Sequence, residues 1–253
     1  AVASGSMSGA PMANAAGLAL ALAGFAAFAR REAAGGARLF PAGATSPRSP
    51  LAATYAAMIL LLVGTTPEIF VPYFLQRLHG LIPLHAGYLS ALMALGWTFG
   101  SVLTSGASPG AARGALAAGP TALAAGLAGL ALLVPHSGPP GTDLVAMALS
   151  LAAIGAGIGM TWPHLGARVF GFAAEADREL AGGSITMVVM VGNAFGAALG
   201  GMVTSLAGMT VPGGAAGAVS ASGWLFSVFV VAPLLAVLAI RRLPTLVRPA
   251  AAQ

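Results

Sequence analysis

Long apolar runs alternate with short polar or charged links from one end of the chain to the other. A helix needs about 20 mostly apolar residues to cross the hydrocarbon core, and seven runs reach that length, at roughly 11–29, 51–75, 84–106, 114–134, 144–167, 181–208 and 222–240. The links Arg30 to Pro50, Gln76 to Pro83, Ala107 to Arg113, Pro135 to Asp143, Arg168 to Leu180 and Met209 to Ala221 carry Pro, Gly, Ser and charged residues. Within the runs the apolar residues are continuous, whereas barrel strands alternate polar and apolar positions over about ten residues. Backbone groups in lipid must be satisfied internally, so helices remain as the spanning element. The pattern predicts an all-α membrane protein, a bundle of about seven transmembrane helices in which each short link lays a helix antiparallel to its neighbour.

Arginine placement orients this bundle. Threaded alternately through a bilayer, the chain puts Arg30, Arg31, Arg38, Arg48, Arg113, Arg168, Arg178, Arg241, Arg242 and Arg248 on one side and Arg77 alone on the other. Cytoplasmic loops carry the excess of basic residues, which predicts an inner-membrane protein with its N-terminus outside and its C-terminus in the cytoplasm.

Composition narrows the class further. Of 253 residues, 58% are hydrophobic and 7% charged, and mean hydropathy is +0.90, against about 25% charged residues in soluble domains. The net charge of +5 is spread over short loops and forms no continuous basic face for nucleic acid. Lysine is absent, and the lack of cysteine removes disulfides, thiolate metal sites and cysteine nucleophiles. Four histidines without ligand spacing predict no metal site, and nothing in the sequence calls for a cofactor. The start, Ala1 to Ala10, has neither an initiator Met nor the charged region of a signal peptide, as expected of part of a longer product.

Gly96 and Gly100, Gly155 and Gly159, and Gly192, Gly196 and Gly200 stand four apart in the third, fifth and sixth runs. Small residues on one helical face let helices pack closely in lipid; the other role open to them is as sliding surfaces in a moving transporter.

Few residues offer chemistry. Glu68 is the one acid well inside a run, and a charge there is expensive unless it faces protein or water. Thr65, Glu68, Pro72 and Gln76 recur every three or four residues beside Gly64, so they form one polar stripe. Pro67 and Pro72 lack the N–H groups that would bond the carbonyls of Val63 and Glu68, predicting a bend. A purely structural glutamate, bonded to a neighbouring helix near the interface, is the alternative. Pro163 frees the carbonyl of Gly159 in the same way, predicting a second interrupted helix at Thr161, Trp162, Pro163 and His164. Paired breaks of this kind mark transport sites. His164 is either a proton relay or an interfacial residue beside Arg168, and Asn193 either a substrate contact or interhelical glue. His79, His85 and Arg77 are expected to be solvated. Glu175, Asp177, Arg178 and Glu179 form either a solvated helix entry or half of a cytoplasmic gate whose ion pairs break on opening.

Two stretches carry a family resemblance. Val71-Pro72-Tyr73-Phe74-Leu75-Gln76, followed by Leu81-Ile82-Pro83-Leu84-His85-Ala86-Gly87-Tyr88-Leu89, resembles the seventh core helix and next loop of major facilitator superfamily transporters. It is most similar to the fourteen-span drug:proton antiporter branch. Gly155 to Pro163, with Glu175, Arg178, Ala181 and Gly183, is similar to that family's tenth helix and following loop. The resemblance implies that residues 51–253 are the six-helix C-terminal half of a transporter and that 1–50 hold a preceding transmembrane helix and cytoplasmic linker. It further implies a small-molecule substrate, a proton as coupling ion, the lipid bilayer as medium and an N-terminal half as partner. Glu68 then becomes the proton or substrate contact, with Thr65, Gln76, Asn193 and His164 around the pathway and Glu175, Asp177 and Arg178 at the gate. One departure stands out: in the loop Ser105 to Gly114 only Arg113 and Gly114 match the family's G-x-x-x-D-R-x-G-R pattern, and its Asp is missing. Proton-coupled efflux of amphipathic compounds is the expected activity, not enzymatic turnover. A seven-helix sensor, or a half-module acting in assembly, is the alternative; a retinal protein is excluded by the missing lysine.

Overall fold

A computed structural model describes residues 11–33, 38–136 and 142–244; Arg248 lies outside them. Every regular element among them is helical: α1 (Pro11–Ala33), α2 (Pro50–Thr65), a 3-10 segment (Thr66–Phe70), α3 (Val71–His79), α4 (Pro83–Ser105), α5 (Pro109–Leu133), α6 (Thr142–Phe172), a short 3-10 turn (Glu175–Asp177), α7 (Arg178–Leu206), α8 (Gly214–Phe229) and α9 (Val231–Arg241). With α2 to α3 and α8 to α9 each taken as one interrupted span, six helices among the described residues are long and apolar enough to cross a membrane, and α1 precedes them. The all-α membrane bundle is as the hydropathy pattern predicts.

Helix ends differ from the apolar runs for local reasons. Ser49-Pro50 and Ser108-Pro109 start α2 and α5 with a serine cap followed by proline; Ser49 accepts from Leu51 N–H at 3.2 Å and Ser108 from Ala111 N–H at 3.4 Å. Capping satisfies an orphan N–H, and proline at the first helical position loses nothing. The link before Arg113 is therefore mostly helix. α6 likewise runs past Arg168 to Phe172, and α8 begins at Gly214, eight residues before Ser222. Gly80 ends α3 in the left-handed region at φ 64°, where glycine carries no Cβ penalty.

The glycine spacings prove to be contact surfaces. α6 lies between α4 and α5 along most of its length. A Cβ on Gly100 would stand 2.5 Å from the Ala156 carbonyl oxygen, and one on Gly126 2.5 Å from that of Ser150. On α7, Gly192, Gly196 and Gly200 receive Leu62, Thr66 and Phe70 of the interrupted span, one glycine per turn. These glycines let backbones touch where no hydrophobic force drives helices together.

Alternation of direction also holds. His79 at the end of α3 bonds the Val134 carbonyl beyond α5 at 3.1 Å, and Arg38 before α2 pairs with Asp177 ahead of α7. The arginine-bearing links thus share one end of the bundle, and Arg77 lies at the other.

Candidate functional site

The interruption of the second span is where the sequence reading and the geometry meet. Pro67 and Pro72 each remove one helical hydrogen bond, and the backbone tightens to reclaim the acceptors: Thr66 N–H donates to the Val63 carbonyl and Val71 N–H to that of Glu68. Those three-residue bonds make the 3-10 segment Thr66–Phe70. Glu68 lies in its first turn, half-buried, and no group among the described residues bonds or pairs with its carboxylate.

The polar stripe is only partly assembled around it. Thr65 is buried and its hydroxyl donates to the Leu62 carbonyl at 2.8 Å; Thr66 donates to the same oxygen at 3.0 Å. Gln76 is exposed, bonds the Pro72 carbonyl at 3.0 Å, and lines a shallow groove with Ile69, Pro72, Tyr73 and Arg77. Asn193 is exposed on α7, one turn from the Gly196 that receives Thr66. Gly64, one turn before Glu68, meets Leu123 of α5 and Pro233 of α9, each with a side-chain atom 3.1 Å from where a Cβ would stand.

Pro233 marks a second interruption, which falls in the last span and not at Pro163. α6 runs unbroken through Pro163, because the Gly159 carbonyl freed by that proline accepts the Ser101 hydroxyl of α4 at 3.1 Å. Thr161 stays buried on the Gly157 carbonyl at 2.8 Å. The expected break at Thr161 to His164 is thus corrected: a neighbouring helix supplied the missing donor. His164 is also distant from Glu68. Gly64 and Gly157 both pack on Leu123, and Glu68 and His164 lie on opposite sides of that level, roughly 15 Å apart along the bundle at 1.5 Å per residue.

At the arginine-rich end the acidic link does more than solvate a helix entry. Asp177 is 4% exposed. It accepts both terminal nitrogens of Arg38, at 2.9 and 3.2 Å, and the Ala42 N–H at 2.8 Å, so it ties the segment before α2 to the start of α7. Glu175 and Arg178 pair at 3.6 Å within their own turn, both exposed, and Glu179 is exposed as well. His79 is half-buried on Val134, contrary to the solvation expected of it, whereas His85 and Arg77 are exposed.

Beside this tie lies a feature the sequence reading missed. Phe28, Phe40 and Tyr55 form a chain of edge-to-face rings, with centroids 6.0 and 5.6 Å apart. Together with Ile59 and the α7 residues Met187 and Val191 they enclose a half-open cavity of about 520 Å³ that is almost wholly apolar. At its wall the Tyr55 hydroxyl meets the Ser184 hydroxyl at 2.5 Å. A volume of this order takes a small organic molecule. No local signal marks it, because its walls come from segments more than a hundred residues apart.

No protein-family model matches the chain. It is 36% identical over 160 residues to a probable multidrug-efflux transporter of Mycobacterium tuberculosis strain CDC 1551 / Oshkosh, an alignment covering 62% of this chain and 34% of that protein. The same figures hold for a probable multidrug-efflux transporter of strain ATCC 25618 / H37Rv. The chain spans about a third of the length of these curated relatives, and both are named as transporters.

Proposed function

We propose that this chain is the C-terminal half of a proton-coupled exporter of small amphipathic compounds, of the fourteen-span drug:proton antiporter branch of the major facilitator superfamily. The N-terminal half completes the central pathway, the arginine-rich end faces the cytoplasm of an inner-membrane protein, and the halves rock about a midplane site. One observation carries the reading: a lone carboxylate, Glu68, sits on an interrupted helix inside a spanning segment and has no partner among the described residues. A charged side chain at the centre of a spanning helix costs about 2.5–3.5 kcal/mol, so the charge state of Glu68 depends on whether water or lipid-like surroundings reach it. Protonation then biases the equilibrium between inward and outward states. Thr65, Gln76 and Asn193 supply the sparse polar lining. The multidrug-efflux names of the M. tuberculosis relatives and the aromatic cavity at Tyr55 support an apolar or amphipathic substrate.

The test uses everted vesicles carrying the complete protein that contains this chain, with ethidium uptake followed under an imposed pH gradient or an imposed sodium gradient. Uptake should follow the pH gradient alone. Glu68→Gln should abolish it or shift its pH dependence while the protein still inserts and folds, and Glu68→Asp should retain part of it. Undiminished, equally pH-dependent uptake by Glu68→Gln removes this residue from the mechanism.

A further inference from the structure

Among the described residues Arg168 is a charge without a counter-charge. It is 8% exposed on α6, its Nε is buried without an acceptor, and no carboxylate among the described residues lies within ion-pair distance. One turn back, the Nε2 of His164 is also buried without a partner. The acids at this end are otherwise engaged or exposed: Asp177 holds Arg38 and Ala42, Glu175 pairs with Arg178, Glu32 accepts the N–H groups of Leu39 and Phe40, and Glu179 points outward.

More positive charge gathers around it. α5 and α6 are antiparallel, with Gly126 against Ser150 and Gly119 against Gly157 and Thr161. Carried on to the helix ends, that register sets Arg113 beside the turn of His164 and Arg168, and the Arg113 charge acts on Arg168. α9 and the α8 that leads into it run opposite to α5, since Gly223 meets Pro135 just past the end of α5 and Pro233, ten residues later, shares Gly64 with Leu123. The exposed end of α9, Arg241 and Arg242, therefore falls at the same end as Arg113. A buried guanidinium among like charges is strongly unfavourable unless an anion joins it. Here the helices end at the membrane surface, where the abundant anion is the phosphate of a phospholipid. Basic pockets between transmembrane helices hold such headgroups, and the planar guanidinium fork matches phosphate oxygens. Val102, Leu103 and Phe170 are exposed at the same end and give acyl chains an apolar wall.

We propose that the arginine-rich ends of α5, α6 and α9 form a phosphate site for an anionic phospholipid headgroup, with Arg168 its inner contact and Arg113, Arg241 and Arg242 its rim. The site needs only the membrane bundle and stands whether or not the transport reading does.

Native mass spectrometry of the chain in detergent, titrated with phosphatidylglycerol, phosphatidylcholine or inorganic phosphate, tests it. Phosphatidylglycerol should be retained in clear preference to phosphatidylcholine. Each arginine near a membrane surface contributes enough that Arg168→Gln should lower that preference roughly fivefold, Arg168→Lys should keep much of it, and Arg77→Gln at the opposite end should leave it unchanged. Arg241→Gln, on an exposed position, should also lower it and serves if Arg168→Gln does not fold. Equal retention of the two lipids, or a preference indifferent to both Arg168→Gln and Arg241→Gln, overturns the site. Displacement of phosphatidylglycerol by inorganic phosphate at equal concentration overturns the lipid assignment and makes a soluble phosphate the occupant.

Discussion

Gly155→Ala and Gly87→Ala add the same methyl group to helices of the same bundle, and the two should move stability in opposite directions. At Gly155 the new Cβ overlaps the Met93 carbonyl oxygen and stands 2.7 Å from the Met93 carbonyl carbon and 2.9 Å from Trp97 N, all backbone atoms of α4. Carbon contacts relax at about 3.5–4.0 Å, so relieving the overlap with the Met93 carbonyl oxygen requires α4 and α6 to part by roughly 1–1.5 Å. Backbone cannot swing aside as a side-chain tip can, and the separation spreads to Gly96, Gly100 and Gly159, which share the seam. A gap of about 0.5–1 Å forfeits a quarter to a half of each contact, and overpacking of this kind costs about 1–3 kcal/mol. Alanine returns about 1 kcal/mol through helix propensity, and because rigid backbone puts the cost at the upper end of that range the net loss approaches about 2 kcal/mol. Gly87 on α4 has nothing within 4 Å of an added Cβ, so the propensity gain stands alone and Gly87→Ala should stabilise by about 0.5–1 kcal/mol. The seam carries its own reporter, because Trp97 of α4 and Trp162 of α6 lie with ring centroids 6.4 Å apart. Tryptophan fluorescence during thermal melting in detergent should give a lower Tm for Gly155→Ala and a higher one for Gly87→Ala. A Gly155→Ala protein that melts with or above the parent would refute backbone contact at this crossing.

Two further outcomes follow from single hydrogen bonds. Ser101→Ala removes the hydroxyl that covers the Gly159 carbonyl at 3.1 Å and should destabilise by about 0.5–1.7 kcal/mol, the range for interhelical bonds in membranes; a Tm equal to that of the parent would mean that the freed carbonyl finds another donor. Asp177→Asn weakens the tie to Arg38 and Ala42, so limited proteolysis should cut residues 38–49 faster while the melting of the bundle stays in place, and unchanged protection would show that Phe40 packing alone holds the segment.

What could be read from the chain follows from how far each signal reaches along it. Hydropathy is a local sum, so the six long spans were legible and their ends were not: caps such as Ser108, and arginines that tolerate a helical end, extend helices beyond the apolar stretch. Glycines four apart announced close contacts because the period is helical, and each set found a partner helix. Prolines were read alike and behaved differently. Pro67 and Pro72 remove local donors, and the chain replied locally with a 3-10 segment; the Gly159 carbonyl that Pro163 freed was answered by Ser101, 58 positions from Gly159 in sequence, for which no pattern exists. The tie between Arg38 and Asp177 joins positions 139 apart, and the cavity wall at Tyr55 and Ser184 joins positions 129 apart. Glu68 stood out because an acid in an apolar run is costly anywhere; that His164 lies far from it needed the register of α5 against α6.

If Glu68 has the role proposed for it, the same hydrogen-bond accounting bears on which ion it handles. Transporters that unwind helices often use the freed carbonyls to coordinate cations. At this interruption the two carbonyls that proline released, Val63 and Glu68, are both occupied by N–H groups one position nearer. Thr65 and Thr66 give their hydroxyl protons to Leu62, and the carbonyl of Pro72 is taken by Gln76. Oxygen ligands for a hard cation must come several at a time, whereas the break presents one carboxylate, and the carbonyls that proline released are already hydrogen-bonded. A proton needs a single basic oxygen and a change of surroundings that alters the cost of charge. Gly64 and Pro233 bring the two interrupted spans into contact one turn before Glu68, so a shift of either span would alter the surroundings of that carboxylate.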